Sequence, residues 1–326
     1  MKTALIVDGN YLLNRAVFIL YNMKTLHVDL LNLLRIDIEK IQKIYNFDKI
    51  YYVSDSKVGY WRKQIYNDYK SSRKKNENID WKFVFNEYNT FLSELKNNDK
   101  IEQVQINYAE GDDLIGYIVN ENNKNGFSNM IIASDGDLHQ LLKFDIHNNY
   151  INFAYNYMTS NEKVFMPKNY NIFINENLKN SMSLFDMNND SEFIEFLETY
   201  TSKIKTIEVI PEEILFKKLI AGDKKDTITS VYELTNEKGK KRGIGGTGAC
   251  KMYNLYKETY KNEIDFNSDE FINNSLNIIS VSKKIKDELI LNEVKQKLIR
   301  NRKLTILDKQ YLPEYVLESF NNINFK

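Results

Sequence analysis

Apolar positions in this chain fall into two alternating patterns, short continuous runs and helical spacing. Residues 3–7 (TALIV) form a continuous run that ends in Asp8, Gly9 and Asn10, which predicts a buried first strand with an acid at its carboxyl end. Leu30, Leu34, Ile38, Ile41 and Tyr45 share one helical face over residues 30–45. A second strand is expected at 49–54 (KIYYVS), with Asp55 directly after it. A third is expected at 102–106, followed by Glu110, Asp112 and Asp113. Leu114, Ile115, Ile118 and Val119 then return to helical spacing, and the run Met130 to Ala133 reads as a buried strand leading to Asp135 and Asp137.

Helices alternating with short apolar strands predict an α/β fold with a mostly parallel central sheet. In such sheets ligands bind beyond the carboxyl ends of the strands, and here four strands deliver acids to that edge. A helix start and a turn would each account for one acid pair by dipole and capping alone. Convergence of all four is not explained that way. Like charges so placed raise one another's pKa unless a cation lies between them.

Later segments are less sharply patterned. Residues 146–164 predict further strands or a hairpin, with a turn near Thr159, Ser160 and Asn161. Residues 168–206 are polar and Asn-rich, with one helical stretch at 191–204, and read as a peripheral insertion. An amphipathic helix at 212–221 runs into Gly222, Asp223 and Asp226. A basic loop at 238–242 leads to the Gly-rich turn 243–249 and a helix starting near Cys250, and charged helices follow at 269–302. A Gly-rich turn opening a helix exposes backbone N–H groups suited to phosphate, although the Lys-Ser/Thr pair of a Walker loop is missing.

The segment from Tyr60 to Lys75 sets Arg62, Lys63, Lys70, Arg73, Lys74 and Lys75 against the single acid Asp68, with Tyr60, Trp61, Tyr66 and Tyr69 interleaved. Taken alone it reads as a solvated helical face. Beside an acidic edge, the mixture suits a nucleic-acid backbone and a stacking surface. The whole chain has 326 residues, with 45 basic and 45 acidic side chains. Neutrality argues against a simple polybasic binder but permits segregated charge. The single cysteine, Cys250, excludes an internal disulfide and fits a reducing cytoplasm. No apolar run is long enough to span a membrane, so no membrane association is expected.

Asp8 and Asp55 after two strands, Tyr69-Lys70-x-x-Arg73, Glu110-x-Asp112-Asp113, Ser134-Asp135-Gly136-Asp137-x-x-Gln140-Leu141, Gly222-Asp223-x-x-Asp226 and the Gly-Ile-Gly turn at 243–245 together resemble the 5′ nuclease (flap endonuclease) superfamily. The stretches GYWRK, ASDGD and AGDKKD point to its T-even bacteriophage ribonuclease H branch. The resemblance covers residues 2–253 and departs from the family at Gly111, where alanine is usual, in the length of 168–206 and in the basic insertion before Gly243.

The resemblance implies a PIN-like/5′ nuclease fold. A nuclease domain would span residues 1–221, with a helical arch at 60–99 and the insertion at 168–206, and a helical region would span 222–326, with a helix-hairpin DNA-binding element at 226–256. It implies that Asp8, Asp55, Glu110, Asp112 and Asp135 hold a first metal and are catalytic. Asp113, Asp137, Asp223 and Asp226 would serve a second metal, and Lys70 and Arg73 would face the scissile phosphate. Nucleic acid would meet Arg15, Arg62, Lys63, Lys70, Arg73, Lys74, Lys240, Lys241, Arg242, Gly243, Gly245, Gly248 and Lys251.

Oxygen ligands without clustered Cys or His indicate two Mg²⁺ ions, with Mn²⁺ able to substitute. His27, His139 and His147 are scattered and read as structural. Two such cations about 4 Å apart would serve in-line phosphodiester hydrolysis leaving a 5′-phosphate. Expected substrates are RNA/DNA hybrids and 5′-flapped or nicked duplex DNA, for a monomer in the cytoplasm of a bacteriophage-infected bacterial cell. Leu317, Phe320 and Phe325 offer a docking tail for a replication clamp or single-strand DNA-binding protein, against the plainer reading of a packed terminus. The alternatives are a PIN-type ribonuclease, which has no use for the basic insertion, and a non-catalytic branched-DNA-binding module, which would leave gaps in the acid set. An aspartyl phosphatase would need an acid at position 10, where this chain has Asn10.

Overall fold

The computed structural model describes the chain except for residues 75, 158–161, 184–189, 236–238, 240 and 321–326. The turn expected near Thr159, Ser160 and Asn161, the loop residue Lys240 and Phe325 lie outside the described residues, as does Lys75. Contacts divide the chain into two compact units, one of residues 1–60, 75–209 and 307–326, the other of residues 61–74 and 210–306. The boundary therefore differs from the expected division at 221/222. The helix at 211–221 belongs with the carboxyl-terminal helices, and residues 307–326 return to the first unit.

In the first unit the buried runs become β1 (Lys2–Asp8), followed by α1 (Gly9–Met23) and α2 (Leu26–Gln42), then β2 (Lys49–Val53). Helix α1 was not foreseen, because Asn10, Asn14 and Arg15 interrupt its apolar face; it buries Leu12, Leu13, Ala16, Val17 and Leu20 nonetheless. The four-residue α3 (Arg62–Ile65) belongs to the second unit. It precedes α4 (Trp81–Leu95), β3 (Ile101–Val104), α5 (Gly111–Lys124), β4 (Phe127–Ile132), the short β5 (Phe144–Asp145), β6 (Tyr150–Asn156) and β7 (Lys163–Pro167). Helices α6 (Tyr170–Ser183) and α7 (Asp190–Lys203) lead into β8 (Lys205–Val209).

Among the described residues these eight strands form one sheet of order β3-β2-β1-β4-β6-β7-β8, with β5 pairing β6. The first five members of that order are parallel, and only the β5–β6 and β6–β7 pairs run antiparallel. Strand β1 stands between β2 and β4, in register from Lys2 opposite Phe127 to Val7 opposite Ile132. The sequence-consecutive strands extend to one side of β1, the later ones to the other. The strand order thus reverses next to β1, the place where an open α/β sheet forms its crevice.

Alternate side chains of β1, Leu5 and Val7, join the core under α1, α2, α4, α6 and α7. On the sheet's other face α5 packs against β1, β2 and β4. Two sequence expectations are corrected here. The arch expected over 60–99 does not extend through α4, whose Val84, Tyr88, Phe91 and Leu95 are buried in this core. Nor is 168–206 a peripheral insertion. Its helices contribute Phe173, Ile174, Phe193, Ile194 and Leu197 to the same core, and its last residues form β8, which pairs in parallel with β7. The polar composition hid this, because each helix buries only a narrow stripe. At the carboxyl end α12 (Glu314–Phe320) buries Phe320 with its ring 4.3 Å from Tyr117, which removes Phe320 from any docking tail.

The second unit contains α8 (Pro211–Ala221), the hairpin β9 (Glu233–Thr235) and β10 (Lys241–Gly243), and the helices α9 (Gly246–Tyr260), α10 (Asp269–Lys283) and α11 (Glu288–Thr305). Phe216 of α8 lies edge-on to Tyr253, Tyr256 and Phe271, an aromatic cluster joining three of these helices. Aromatic pairs of this geometry add to their area burial.

Because Phe193 is fully buried between the rings of Tyr45 and Phe196, Phe193→Ala is expected to cost about 3–5 kcal/mol of unfolding free energy. Urea denaturation measures it. A loss under about 1 kcal/mol, as for a surface substitution, would return this segment to the periphery.

Candidate active site

Asp8, Glu110 and Asp135 each cap the element that follows them, and Asp55 lies in the loop after β2. Asp8 closes β1 and caps α1, accepting from the Tyr11 backbone N–H at 3.0 Å. Asp55 follows β2. Its Oδ1 accepts from the Gly111 N–H at 2.6 Å and its Oδ2 from the Tyr60 hydroxyl at 3.2 Å. Glu110 caps α5 in a reciprocal box, with its own N–H donating to Asp113 at 3.1 Å. Asp135, just past β4, accepts from the Asp137 N–H at 3.0 Å and caps a short 3₁₀ helix (Gly136–Leu141). A carboxylate is a strong N-cap, so local chain geometry alone favours an acid at Asp8, Glu110 and Asp135, but not at Asp55.

The edge is electrostatically loaded nonetheless. Burial first, then repulsion from Asp55 and Asp135, pushes the Asp8 carboxyl from its ordinary 3.8 up to about 7, against the lowering effect of the Tyr11 and Asn10 backbone N–H groups. Asp55 and Asp135, beyond the ends of β2 and β4, thus both act on Asp8 at the end of β1 between them. Among the described residues no three carboxylates, Cys or His stand close enough to form a ready-made cation cage. The donor set is all oxygen and mutually repelling, which fits a hard divalent cation. Glu110 and Asp113 are buried, at 2% and 4% exposure, while Asp112 and Asp137 are half-buried.

The sequence reading missed the support beneath these acids. Ser54 and Tyr88 share a hydrogen bond at 3.0 Å, Tyr88 donates to Tyr52 at 3.3 Å, and Tyr52 donates to the Gly9 carbonyl at 3.4 Å. This buried hydroxyl chain ties β2 and α4 to the first turn of α1. A Cβ at Gly9 would stand 2.4 Å from the Tyr52 ring, so only glycine fits there. The pairing of Gly9 directly after Asp8 was the available signal. Gly111 has a similar role, because a Cβ there would press to 3.2 Å from Asp55 Oδ1.

The histidines are structural in their contacts where those are seen. His27 packs on Phe83 and His139 on Phe165, with ring centroids 4.5 and 4.3 Å apart. Burial lowers the His139 pKa, against the raising effect of Asp135.

In the second unit the basic segment is folded differently from expectation. Trp61 and Tyr69 are buried, and Tyr66 is covered by the Arg300 guanidinium at 4.5 Å. These rings anchor the segment and do not form a stacking surface. Arg62, expected to meet nucleic acid, is also turned inward. It is 2% exposed, donates to the Leu304 carbonyl at 2.8 Å and stacks on Trp61. In the first unit Arg15 is committed to the buried Asp37 at 2.6 Å, which likewise turns it inward.

Lys63, Arg73, Lys74, Arg242 and Lys251 are exposed, as are Gly243 and Gly245, while Gly248 is half-buried. Lys240 lies outside the described residues, and of Lys241 only its place in β10 is described. Gly245 caps α9, and no heavy atom lies within 4 Å of where its Cβ or that of Gly246 would be.

Asp223 and Asp226 sit in a tight loop after α8. Gly222, at φ +74°, has no room for a side chain, since a Cβ would stand 2.3 Å from the Ile228 carbonyl oxygen. Asp223 pairs with Lys218 at 3.0 Å and accepts from the Lys225 N–H at 2.7 Å. Burial pushes its pKa up, but Lys218 and the loop N–H groups prevail and hold it below the usual carboxylate value. Asp226 accepts from the Tyr69 hydroxyl at 3.1 Å and from Arg73 at 2.5 Å.

An acid-edged, doubly wound sheet accompanied by a separate helical unit defines an α/β protein. Residues 3–171 match the 5′-3′ exonuclease, N-terminal resolvase-like domain, and the chain belongs to that family. It is 25% identical over 306 residues to a 5′-3′ exonuclease of Mycoplasmopsis pulmonis, covering 94% of this chain and 80% of that one. Over 118 residues it is 29% identical to the ribonuclease H of Enterobacteria phage T4, covering 35% of this chain and 39% of the phage protein. In fold it is similar to the phage T5 5′-exonuclease with bound zinc, at a TM-score of 0.58 and 17% identity over 98% of this chain and 97% of the other. A T5 flap endonuclease complex with DNA and metal ions gives a TM-score of 0.56 over 98% and 96% of the two chains.

The raised Asp8 pKa carries a pH signature. In metal-free buffer its stabilising share is present below pH 3.8 and is lost as pH rises through about 7. The wild type is therefore expected to lose on the order of a few kcal/mol between pH 5 and 8 relative to Asp8→Asn, which keeps a capping oxygen. Urea unfolding of both proteins at the two pH values checks this; parallel curves would place the crowding elsewhere.

Proposed function

We propose that the protein is a divalent-metal-dependent 5′ to 3′ nuclease that removes RNA primers and 5′ flaps from duplex DNA during replication. The observation that carries the reading is the placement of Asp8, Asp55 and Asp135 at or just past the carboxyl ends of β1, β2 and β4, where the strand order reverses, in a chain of the 5′-3′ exonuclease family. Glu110, Asp112, Asp113 and Asp137 complete the oxygen donor set of the first unit. Two Mg²⁺ ions, or Mn²⁺ in their place, would activate water and stabilise the attacking and leaving oxygens of the phosphodiester.

The chain's own residues do the rest. Asp55 is fixed by the Gly111 N–H and the Tyr60 hydroxyl, and Asp135 by the Asp137 N–H, so the donors are oriented before any cation arrives. Lys70 and Arg73 supply positive charge to phosphate oxygens, and Lys63, Lys74, Arg242 and Lys251 neutralise the backbone without reading bases. The open Gly245–Gly246 turn at the start of α9 offers N–H groups to a duplex phosphate. The substrates proposed are RNA/DNA hybrids and nicked or 5′-flapped duplexes, handled by a monomer.

A nicked duplex carrying a 5′-labelled RNA primer or DNA flap, incubated with Mg²⁺ or EDTA, tests this directly. Short 5′ products that require the metal are expected, and Asp135→Asn should lower turnover by about 10²-fold or more while duplex binding in EDTA stays within about threefold. Tight binding without cleavage in any metal would make the chain a binding module instead.

A further inference from the structure

Gln140 closes the motif Ser134-Asp135-Gly136-Asp137-x-x-Gln140, and no step of the proposed hydrolysis uses it. Its side chain bridges two stretches of backbone. Nε2 donates to the Asp137 carbonyl at 2.9 Å, and Oε1 accepts from the Leu307 N–H at 3.0 Å. The Asp137 N–H in turn donates to Asp135 Oδ1 at 3.0 Å. Three hydrogen bonds thus connect a carboxylate at the sheet edge to residue 307, where the chain returns to the first unit.

The returning segment 307–320 also backs α5, which starts at the acids Glu110, Asp112 and Asp113. A Cβ on Gly116 would stand 2.9 Å from Leu307 Cβ and 3.0 Å from its carbonyl oxygen, so the segment lies directly against the helix. Phe320 packs on Tyr117, and Tyr315 meets Tyr108 edge-on with ring centroids 5.7 Å apart. Tyr108 stands two positions before Glu110, holds φ +67°, and donates its N–H to Ser56 Oγ at 2.8 Å, next to Asp55. A tyrosine keeps that left-handed backbone only where its surroundings impose it. The Lys309 ammonium, 3.7 Å from Glu121, forms an exposed pair that adds little.

A segment that merely covered apolar surface would need only Leu307, Val316 and Phe320, all of them buried. The amide of Gln140 adds direction, because its donor and its acceptor each engage a different backbone. The 3₁₀ turn and α5 are in contact, and each begins in acids, so like charge works against that contact when no cation is present. A neutral amide behind the acids resists this without adding charge. We propose that Gln140 is a positioning residue and segment 307–320 its brace: together they hold Asp135 and Asp137 in place against Glu110, Asp112 and Asp113, ready for divalent cations. The role of those cations rests on the nuclease reading above.

Full-length Q140L keeps the bulk of the side chain without its donor and acceptor, and it is titrated with Mn²⁺ by calorimetry in the absence of nucleic acid. Its apparent dissociation constant is expected to rise by about tenfold or more, as when a group that orients a metal ligand is removed. Cleavage of the nicked duplex should fall at limiting Mn²⁺ and recover to within about threefold of the wild type at saturation. If Q140L unfolds at lower urea in EDTA yet binds Mn²⁺ as tightly as the wild type, Gln140 is only structural and the proposal is overturned.

The wild type supplies a second readout that needs no variant to fold. A segment that favours metal binding must itself be stabilised by metal, so Mg²⁺ should slow amide exchange by about fivefold or more in 307–320 together with 134–141. Slowing at 134–141 alone overturns the brace. A wild type that binds neither ion and cleaves nothing refutes the nuclease reading and this proposal with it, whereas a failure confined to Q140L or to segment 307–320 leaves that reading standing.

Discussion

Repulsion among carboxylates beyond β1, β2 and β4 is the constraint around which the first unit is built. Burial, with repulsion from Asp55 and Asp135 added to it, raises the Asp8 carboxyl to about 7, so that it is only partly ionised at neutral pH. A fold selected for stability alone would replace at least one of them with an amide, which can also cap a helix. The sheet instead sets three acids where the strand order reverses. It offsets part of the repulsion locally, with the Tyr11 N–H on Asp8, the Gly111 N–H on Asp55 and the Asp137 N–H on Asp135.

Those same hydrogen bonds explain why the arrangement folds at all. Asp8, Asp55 and Asp135 each accept from a backbone N–H in the first turn of a helix or 3₁₀ turn, so on the proposed reading the residues that would hold a cation also order the chain locally. The cost of crowding is partly returned by local chain order. Beneath them, the Ser54, Tyr88 and Tyr52 hydroxyls replace what would be apolar packing with a hydrogen-bonded column that reaches the Gly9 carbonyl. Burial pushes the Tyr88 hydroxyl pKa up to about 12, which keeps it a neutral donor at any working pH.

Much of the first unit was legible in the sequence because buried parallel strands are continuous apolar runs, and each is punctuated by an acid. TALIV-Asp8 and the run Met130 to Ala133 before Asp135 needed no partner to be read. Helix α1 and the helices at 170–203 were not legible in the same way. Their apolar stripes are narrow and interrupted, and only contact with Tyr45, Phe47 and Tyr155 shows which residues are inside. The basic segment was misread for a related reason. Sequence shows that Trp61, Arg62 and Tyr69 are interleaved with cations, but not which way they face, and Arg62 and Tyr69 are held by Leu304 and Ile228, more than 150 positions away.

The neutral net charge takes its meaning from this arrangement. Acids gather at the sheet edge of one unit, while exposed Lys63, Arg73, Lys74, Arg242 and Lys251 gather in the other. A polyanion is repelled by the first set and attracted by the second unless the first is neutralised by cations. On the proposed reading, affinity for nucleic acid and cleavage of it are separable properties. Cations at the sheet edge would do two things at once, supplying the chemistry and removing the electrostatic barrier that keeps a phosphate away from Asp8, Asp55 and Asp135. Arg73 stands apart from the other exposed cations, since Asp226 already takes part of its charge.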